Sequence, residues 1–303
     1  MEPDSTGIDG EDTAPHPRRQ QSNHDKGNGQ PGVRPDVWES HRLYIEHHLF
    51  HYVLGGNYIA TLQNPRFILD VGCGPGHWGF DMARQHPMSQ VVGVDIDIPL
   101  LPKNAPPNYR AVAVSALDQL PFDDATFDYA HMRLQAMKIR VHQWPLVLRE
   151  MLRVTRPGGW VELLELGMPD IGQPFIWKCL AALGRRDGLD IFPGMQPAYW
   201  LQQAGAEDVQ TREVMLSREL SDGRTGRLLM HDMLQIAERV RDDILALNIT
   251  TAGSYDMALA SMQRHLLRAT RTETLPVYVM VGRRPTVYPP ETPSPPAEQP
   301  TSD

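Results

Sequence analysis

Between Arg66 and Ile98 the chain reads RFILDVGCGPGHWGFDMARQHPMSQVVGVDIDI. A short apolar run meets a turn with glycines at 72, 74 and 76. A stretch of helical pattern, GHWGFDMARQ, follows and stops before Pro87, and a second apolar run, VVGVDI, carries Asp95 near its end. Apolar runs this short fit strands buried on both faces of a parallel sheet. Glycine allows the sharp turn from strand to helix and lets the backbone approach a ligand with no Cβ in the way. The helix then points its N-terminal amides and positive dipole end at the same place. Such a unit belongs to a doubly wound α/β fold, which binds ligands at the carboxyl ends of its strands.

The pattern continues along the chain. YRAVAVSA, FDYAHMRL and WVELLEL read as third, fourth and fifth strands. WPLVLREMLRVT reads as a helix with Pro145 in its first turn, ending at RPGG. Beyond Gly167, PAYWLQQAG suggests a short helix, VQTREVMLS a sixth strand and LPVYVMVGRRP a seventh. The fold class expected is therefore α/β: a Rossmann-like, seven-stranded, mostly parallel sheet. Trp38 to Leu62 suggests a helix that GGN at 55–57 interrupts or ends. Two amphipathic stretches, Gly226–Leu247 and Tyr255–Arg271, fall between the last two strands. The organisation expected is an N-terminal helical lid over 37–64 and a domain over 65–284 with a helical cap at about 222–274. A disordered leader over 1–36 and a proline-rich tail over 285–303, with seven prolines, flank it.

Composition narrows the function classes. A net charge of -8 opposes nucleic acid or an anionic membrane as the main partner. Only two cysteines occur, Cys73 and Cys179, too few for a disulfide framework and suited to a reducing compartment. The first residues hold no apolar signal core, and no run approaches the ~18 apolar residues of a membrane span. A soluble cytoplasmic protein is expected.

The glycine spacing discriminates between ligands. Dinucleotide folds carry G-x-G-x-x-G to seat a pyrophosphate. Here the spacing is G-x-G-x-G, with Asp70 just before it. A carboxylate there disfavours an anionic pyrophosphate and suits a sulfonium bearing a free amino group. This points to S-adenosyl-L-methionine, with Asp95 placed to accept hydrogen bonds from the ribose.

Four ordered motifs, ILDVGCGPGHWGFDMA, VVGVDI, LPFDDATFDYAHMR and LREMLRVTRPGGWVELLE, resemble those of class I S-adenosylmethionine-dependent methyltransferases. EHHLFHYVLGGNYIA ahead of them is similar to the LaeA-like and UMTA-like branch linked to secondary metabolism. The resemblance covers roughly residues 40 to 285, strongly as far as 167. It implies that Asp70, Gly72, Gly74 and Gly76 cradle the methionine and ribose, that Asp95 takes the ribose hydroxyls, and that Ile96 packs on the adenine. Ser115 and Ala116 stand where the family often has an acid or amide for the adenine amino group. The donor methyl is expected near Met132, at the end of the fourth strand.

The function expected is in-line methyl transfer to O or N of a small, specialised metabolite. Such a displacement needs alignment and exclusion of water more than covalent help. A base is needed only where the acceptor must lose a proton. His131 is the closest candidate, with Arg133, His142 and Glu165 behind it. His41, His47, His48 and His51 lack a third ligand motif, so no metal is expected. Tyr44, Tyr58 and Trp78 suit core or pocket lining, and Met230 and Met233 suit the core of the cap. Two rival readings are a cofactor-binding regulatory protein that acts through a protein partner, and an NAD-dependent oxidoreductase. The glycine spacing opposes the second.

Overall fold

The computed structural model describes residues 37–98, 101–170, 174–216, 223–266 and 274–286. The leader over 1–36 and nearly all of the tail over 285–303 lie outside the described residues. Seven strands form one sheet: β1 (Phe67–Val71), β2 (Gln90–Asp95), β3 (Tyr109–Ala113), β4 (Phe127–Arg133), β5 (Thr155–Leu166), β6 (Glu207–Leu216) and β7 (Leu275–Arg283). Their order across the sheet is β3-β2-β1-β4-β5-β7-β6. β1 pairs in parallel with both β2 and β4, and β4 with β5. β7 runs antiparallel to its neighbours β5 and β6. The direction in which strands are added reverses between β1 and β4, which opens a crevice at their carboxyl ends.

Eight helices are described: α1 (Val37–Leu54), α2 (His77–Gln85), α3 (Trp144–Val154), α4 (Pro174–Arg186), α5 (Gln196–Gln203), α6 (Arg224–Arg239), α7 (Arg241–Ala246) and α8 (Ala252–Leu266). α1 ends where the glycine pair predicts. Gly55 takes a φ of +73°, and the Gly56 amide closes back on the His51 carbonyl at 3.0 Å. The three helices α6, α7 and α8 occupy the interval between β6 and β7 that the sequence reads as an insertion. α4 is an addition to the sequence reading. Its signal was present, because Ile176, Trp177, Leu180, Ala181 and Gly184 are buried at helical spacing.

Alternation along the strands sorts the core into two layers. Leu69, Val71, Met132 and Leu163 face α3 and α5, where Trp144, Leu148, Met151, Trp200 and Leu201 complete the layer. On the opposite face, Ile68, Tyr129 and Val281 pack with Trp78, Phe80 and Met82 of α2. Beyond them, Leu49, Phe50 and Leu54 of α1 join Ile176 and Trp177 of α4 and Leu229, Met230 and Met233 of α6. α1 and the helices between β6 and β7 therefore share one hydrophobic cluster.

β5 starts earlier than the RPGG motif suggests, at Thr155, and its register with β4 shifts between Phe127 and Tyr129. Asp128 uses that irregularity. Its carboxylate accepts the Arg66 and Phe67 amides at 2.7 and 2.8 Å and also binds Arg156. Gly93 of β2 marks another close approach, because a Cβ there would lie 2.7 Å from the Cys73 sulfur and overlap the Tyr109 hydroxyl. Gly93→Ala is expected to destabilise the fold by about 1–3 kcal/mol through overpacking, read as a lowered denaturation midpoint with an unchanged slope.

Candidate active site

The crevice at the switch point is built from the carboxyl ends of β1, β2 and β4. β1 delivers the chain into Gly72, Gly74 and Gly76, all at positive φ, between 51° and 87°. The Gly72 and Cys73 amides both donate to the Val94 carbonyl, which bends the turn toward β2. The Gly74 amide donates to Asp95 Oδ2 at 2.9 Å, so the acid closing β2 is tied to the glycine turn. Among the described residues, only Leu43 of α1 comes within 4 Å of the Cβ position of Gly74, at 3.9 Å. The middle of the turn is thus uncrowded, with α1 beside it.

The Asp95 carboxylate offers about four lone-pair sites in all. It also receives a long contact from the Asp97 amide at 3.4 Å. Each oxygen therefore retains capacity for an outside hydroxyl, such as a ribose would supply. Ile96 beside it is 72% exposed, an apolar surface next to the carboxylate. Ser115 and Ala116 follow β3 along the same edge of the sheet, and the Ser115 hydroxyl accepts the Leu117 amide at 3.1 Å. These groups fit an adenosyl ligand: a left-handed glycine cradle, spare acceptor positions on an acid, and an uncovered apolar side chain.

Asp70 and His131 meet across the β1–β4 register, Nδ1 to Oδ1 at 2.9 Å. The imidazole stacks on Trp78 with ring centroids 3.8 Å apart and is only 2% exposed. Burial lowers its pKa more than Asp70 raises it, so the ring is neutral and donates Nδ1–H to the carboxylate. His131 therefore lies inside the α1–α2 face of the sheet, and the side chain of Met132 points the other way, into the α3–α5 core. His142 sits on an exposed 3-10 turn (Val141–Gln143).

Helix α1 is fastened by a polar relay. Arg133 approaches His47 Nδ1 at 3.2 Å, and His47 Nε2 meets Asp81 of α2 at 2.9 Å. A guanidinium only donates, so Nδ1 accepts and Nε2–H donates to Asp81. Burial pushes the His47 pKa down, in keeping with this neutral tautomer. His48 and His51 are exposed on the same helix, while the side chain of His41 lies outside the described residues. Among the described residues no group of three or more His, Cys, Asp or Glu is placed to hold a metal. Tyr44 packs edge-on against His77 at the start of α2, and Tyr58 reaches His86 at 3.3 Å.

Two buried glutamates of β5 hold the loops that frame the crevice. Glu162 accepts the Ile59 and Ala60 amides at 3.0 and 2.9 Å, which pins the segment after α1. Glu165 accepts the Gln135 amide at 2.8 Å, which pins the loop after β4. Burial raises their pKa values to about 7 and about 8. Glu165, a base candidate by sequence, thus serves here as a backbone acceptor. The sequence reading missed Glu162 and Gln135, because nothing local marks an acid in an apolar strand as a partner for a loop about a hundred residues earlier.

Residues 68–159 match the family model described as a methyltransferase domain. Over those residues the chain is similar to methyltransferase domains. It is 30% identical over 187 residues to methyltransferase pytC of Aspergillus terreus, spanning 57% of this chain and 56% of that protein. Methyltransferase str2 of Strobilurus tenacellus is 29% identical over 137 residues, 45% of this chain and 44% of the relative. The secondary metabolism regulator laeA of Aspergillus fumisynnematus is 35% identical over 135 residues, 43% of this chain and 35% of the relative. The chain thus spans about half the length, or less, of the curated relatives it matches. The methyltransferase family and its LaeA-like branch both agree with the sequence motifs. Among the described residues no helix is long and apolar enough to cross a membrane.

The glutamates give a pH signature. A carboxyl whose folded pKa lies above the ordinary 4.5 keeps its proton in the native state where the unfolded chain has lost it. Stability from these groups is full below about pH 4.5 and lost as pH rises through about 7 and 8. His47 and His131, shifted the other way, act below about pH 6.5, so the window above that reports the glutamates. Glu165→Gln is expected to flatten the fall of unfolding free energy between pH 6.5 and 8.5, by at most roughly one kcal/mol per pH unit.

Proposed function

We propose that the protein transfers the methyl group of S-adenosyl-L-methionine to oxygen or nitrogen of a small molecule, a specialised metabolite, and works in the cytoplasm. The observation that carries this reading is the bond between the Gly74 amide and Asp95, which joins the glycine cradle to an acid with acceptor capacity to spare. The relatives named as methyltransferases support it from a separate direction. The net charge of -8 supports an acceptor other than nucleic acid.

In this reading the glycine turn and the Asp70 end of β1 receive the methionine portion. Asp95 binds the ribose hydroxyls, Ile96 covers one face of the adenine, and Ser115 and Ala116 border its amino group. When bound, the sulfonium supplies an electrophilic methyl and a neutral thioether leaving group, so no covalent enzyme intermediate is required. The chain's own task is alignment and dryness. The lid helix α1, held by the Arg133–His47–Asp81 relay and by Glu162 through the loop behind it, closes the crevice from above. His131, 2% exposed and bonded to Asp70, suits holding that acid in place better than direct removal of a proton from the acceptor. Met132 contributes to the core beneath the donor site rather than to its lining. The unit over 65–284 with the helical cap serves as the catalytic body, and the lid over 37–64 belongs with it.

Some relatives are named as regulators of secondary metabolism, which keeps a partner-dependent regulatory protein as the competing reading. Calorimetric titration tests the cofactor, and acceptor turnover separates the two readings. S-adenosylmethionine and S-adenosylhomocysteine are expected to bind and NAD is not. A ligand at a hundredfold excess over its Kd raises stability by ~2.7 kcal/mol. Asp95→Ala is expected to abolish that gain while leaving a folded protein. Absence of adenosyl binding to the unaltered protein would sink the proposal.

A further inference from the structure

Gln135 occupies a place that the motif residues leave unexplained. It follows the end of β4, is 7% exposed, and lies flat against the glycine turn. A Cβ built on Gly72 would come 2.5 Å from its amide carbon and nitrogen and 2.8 Å from Oε1. The amide therefore stands in the crevice between β1 and β4, where the strand order reverses.

Its orientation is determined at both ends. The backbone amide donates to the buried Glu165 carboxyl at 2.8 Å, and Nε2 donates to the Arg133 carbonyl at 2.9 Å. A flipped amide would set two carbonyl oxygens against each other, so the assignment of oxygen and nitrogen follows from the contact. Oε1 is left with no hydrogen-bond partner among the described residues. This oxygen, on a side chain that is otherwise largely covered, keeps its acceptor sites open toward the crevice.

We infer that Gln135 contacts the positively charged sulfonium of the methyl donor through Oε1 and so distinguishes the charged donor from the neutral thioether product. This rests on the cofactor reading above. A carbonyl dipole attracts an adjacent cation and the polarised hydrogens on its carbon, whereas a neutral sulfur offers it nothing. Retention of donor and release of product would then follow from one oxygen. Gly72 is required beside it, because any side chain at that position would displace the amide.

The test compares the affinities of S-adenosylmethionine, sinefungin (whose amine keeps a positive charge at the reacting position) and S-adenosylhomocysteine for the full chain and for Gln135→Leu. Loss of a contact to a charged group should weaken the two cations about tenfold or more, with the neutral thioether changed less than about twofold. Gln135→Met, equal in length and uncharged, repeats the measurement should the Leu variant unfold. Thermal unfolding without ligand checks that each variant is native. Equal weakening of all three ligands, or of none, overturns the assignment while the cofactor reading stands. Failure of the unaltered protein to bind any of them overturns the cofactor reading, and this inference with it.

Discussion

Carboxyl groups that accept backbone amides hold this structure's working edge together. Asp95 takes the Gly74 amide, Asp128 takes those of Arg66 and Phe67, Glu162 those of Ile59 and Ala60, and Glu165 that of Gln135. Each is an acid in a sheet whose neighbouring positions are apolar, and Glu162 and Glu165 meet loops that would otherwise carry unpaired N–H groups into the interior. Such a bond also locates a loop to within hydrogen-bond tolerance of the sheet. The cost of burial is visible at Glu162 and Glu165, whose pKa values rise to about 7 and about 8. Those two strand positions hold the segment after α1 and the loop after β4 against the sheet.

Helix α1 is held in a different way. Leu49, Phe50 and Leu54 give α1 its apolar anchorage beside α4 and α6, while His47 sits over the sheet between Arg133 and Asp81. The apolar part supplies attraction without direction. The His47 relay supplies direction, because only one tautomer satisfies a guanidinium on one nitrogen and a carboxylate on the other. Leu43, one turn earlier, is thereby brought over Gly74. The helices α6–α8 reinforce the same cluster, so elements near the two ends of the described chain pack together.

Much of the fold was legible in the chain because its signals are local. FILDV, VVGVD and FDYAHMR carry strand length and β-propensity within a few residues of one another. GGN reports the end of α1 through backbone freedom alone. The helix α4 had the same kind of signal in Ile176, Leu180 and Gly184, but it follows a stretch without clear punctuation. The register break at Asp128 had none, since it answers the amides of Arg66 and Phe67 about sixty residues earlier.

For the site, the sequence by itself determined the glycine turn, the acid of β2 and the kind of ligand they suit, because spacing and residue type restrict what a turn can approach. Only the tertiary structure decided what the other polar residues do. His131 and Asp70 are 61 positions apart and became partners through the β1–β4 register, which turned a histidine at a strand end inward under Trp78. Gln135 has no motif at all. Its amide acquired an orientation when Glu165 held its backbone, Arg133 held its nitrogen and Gly72 left room for its plane. Hydrogen bonds and close contacts between distant segments exist only after the chain has folded, and no local pattern encodes them.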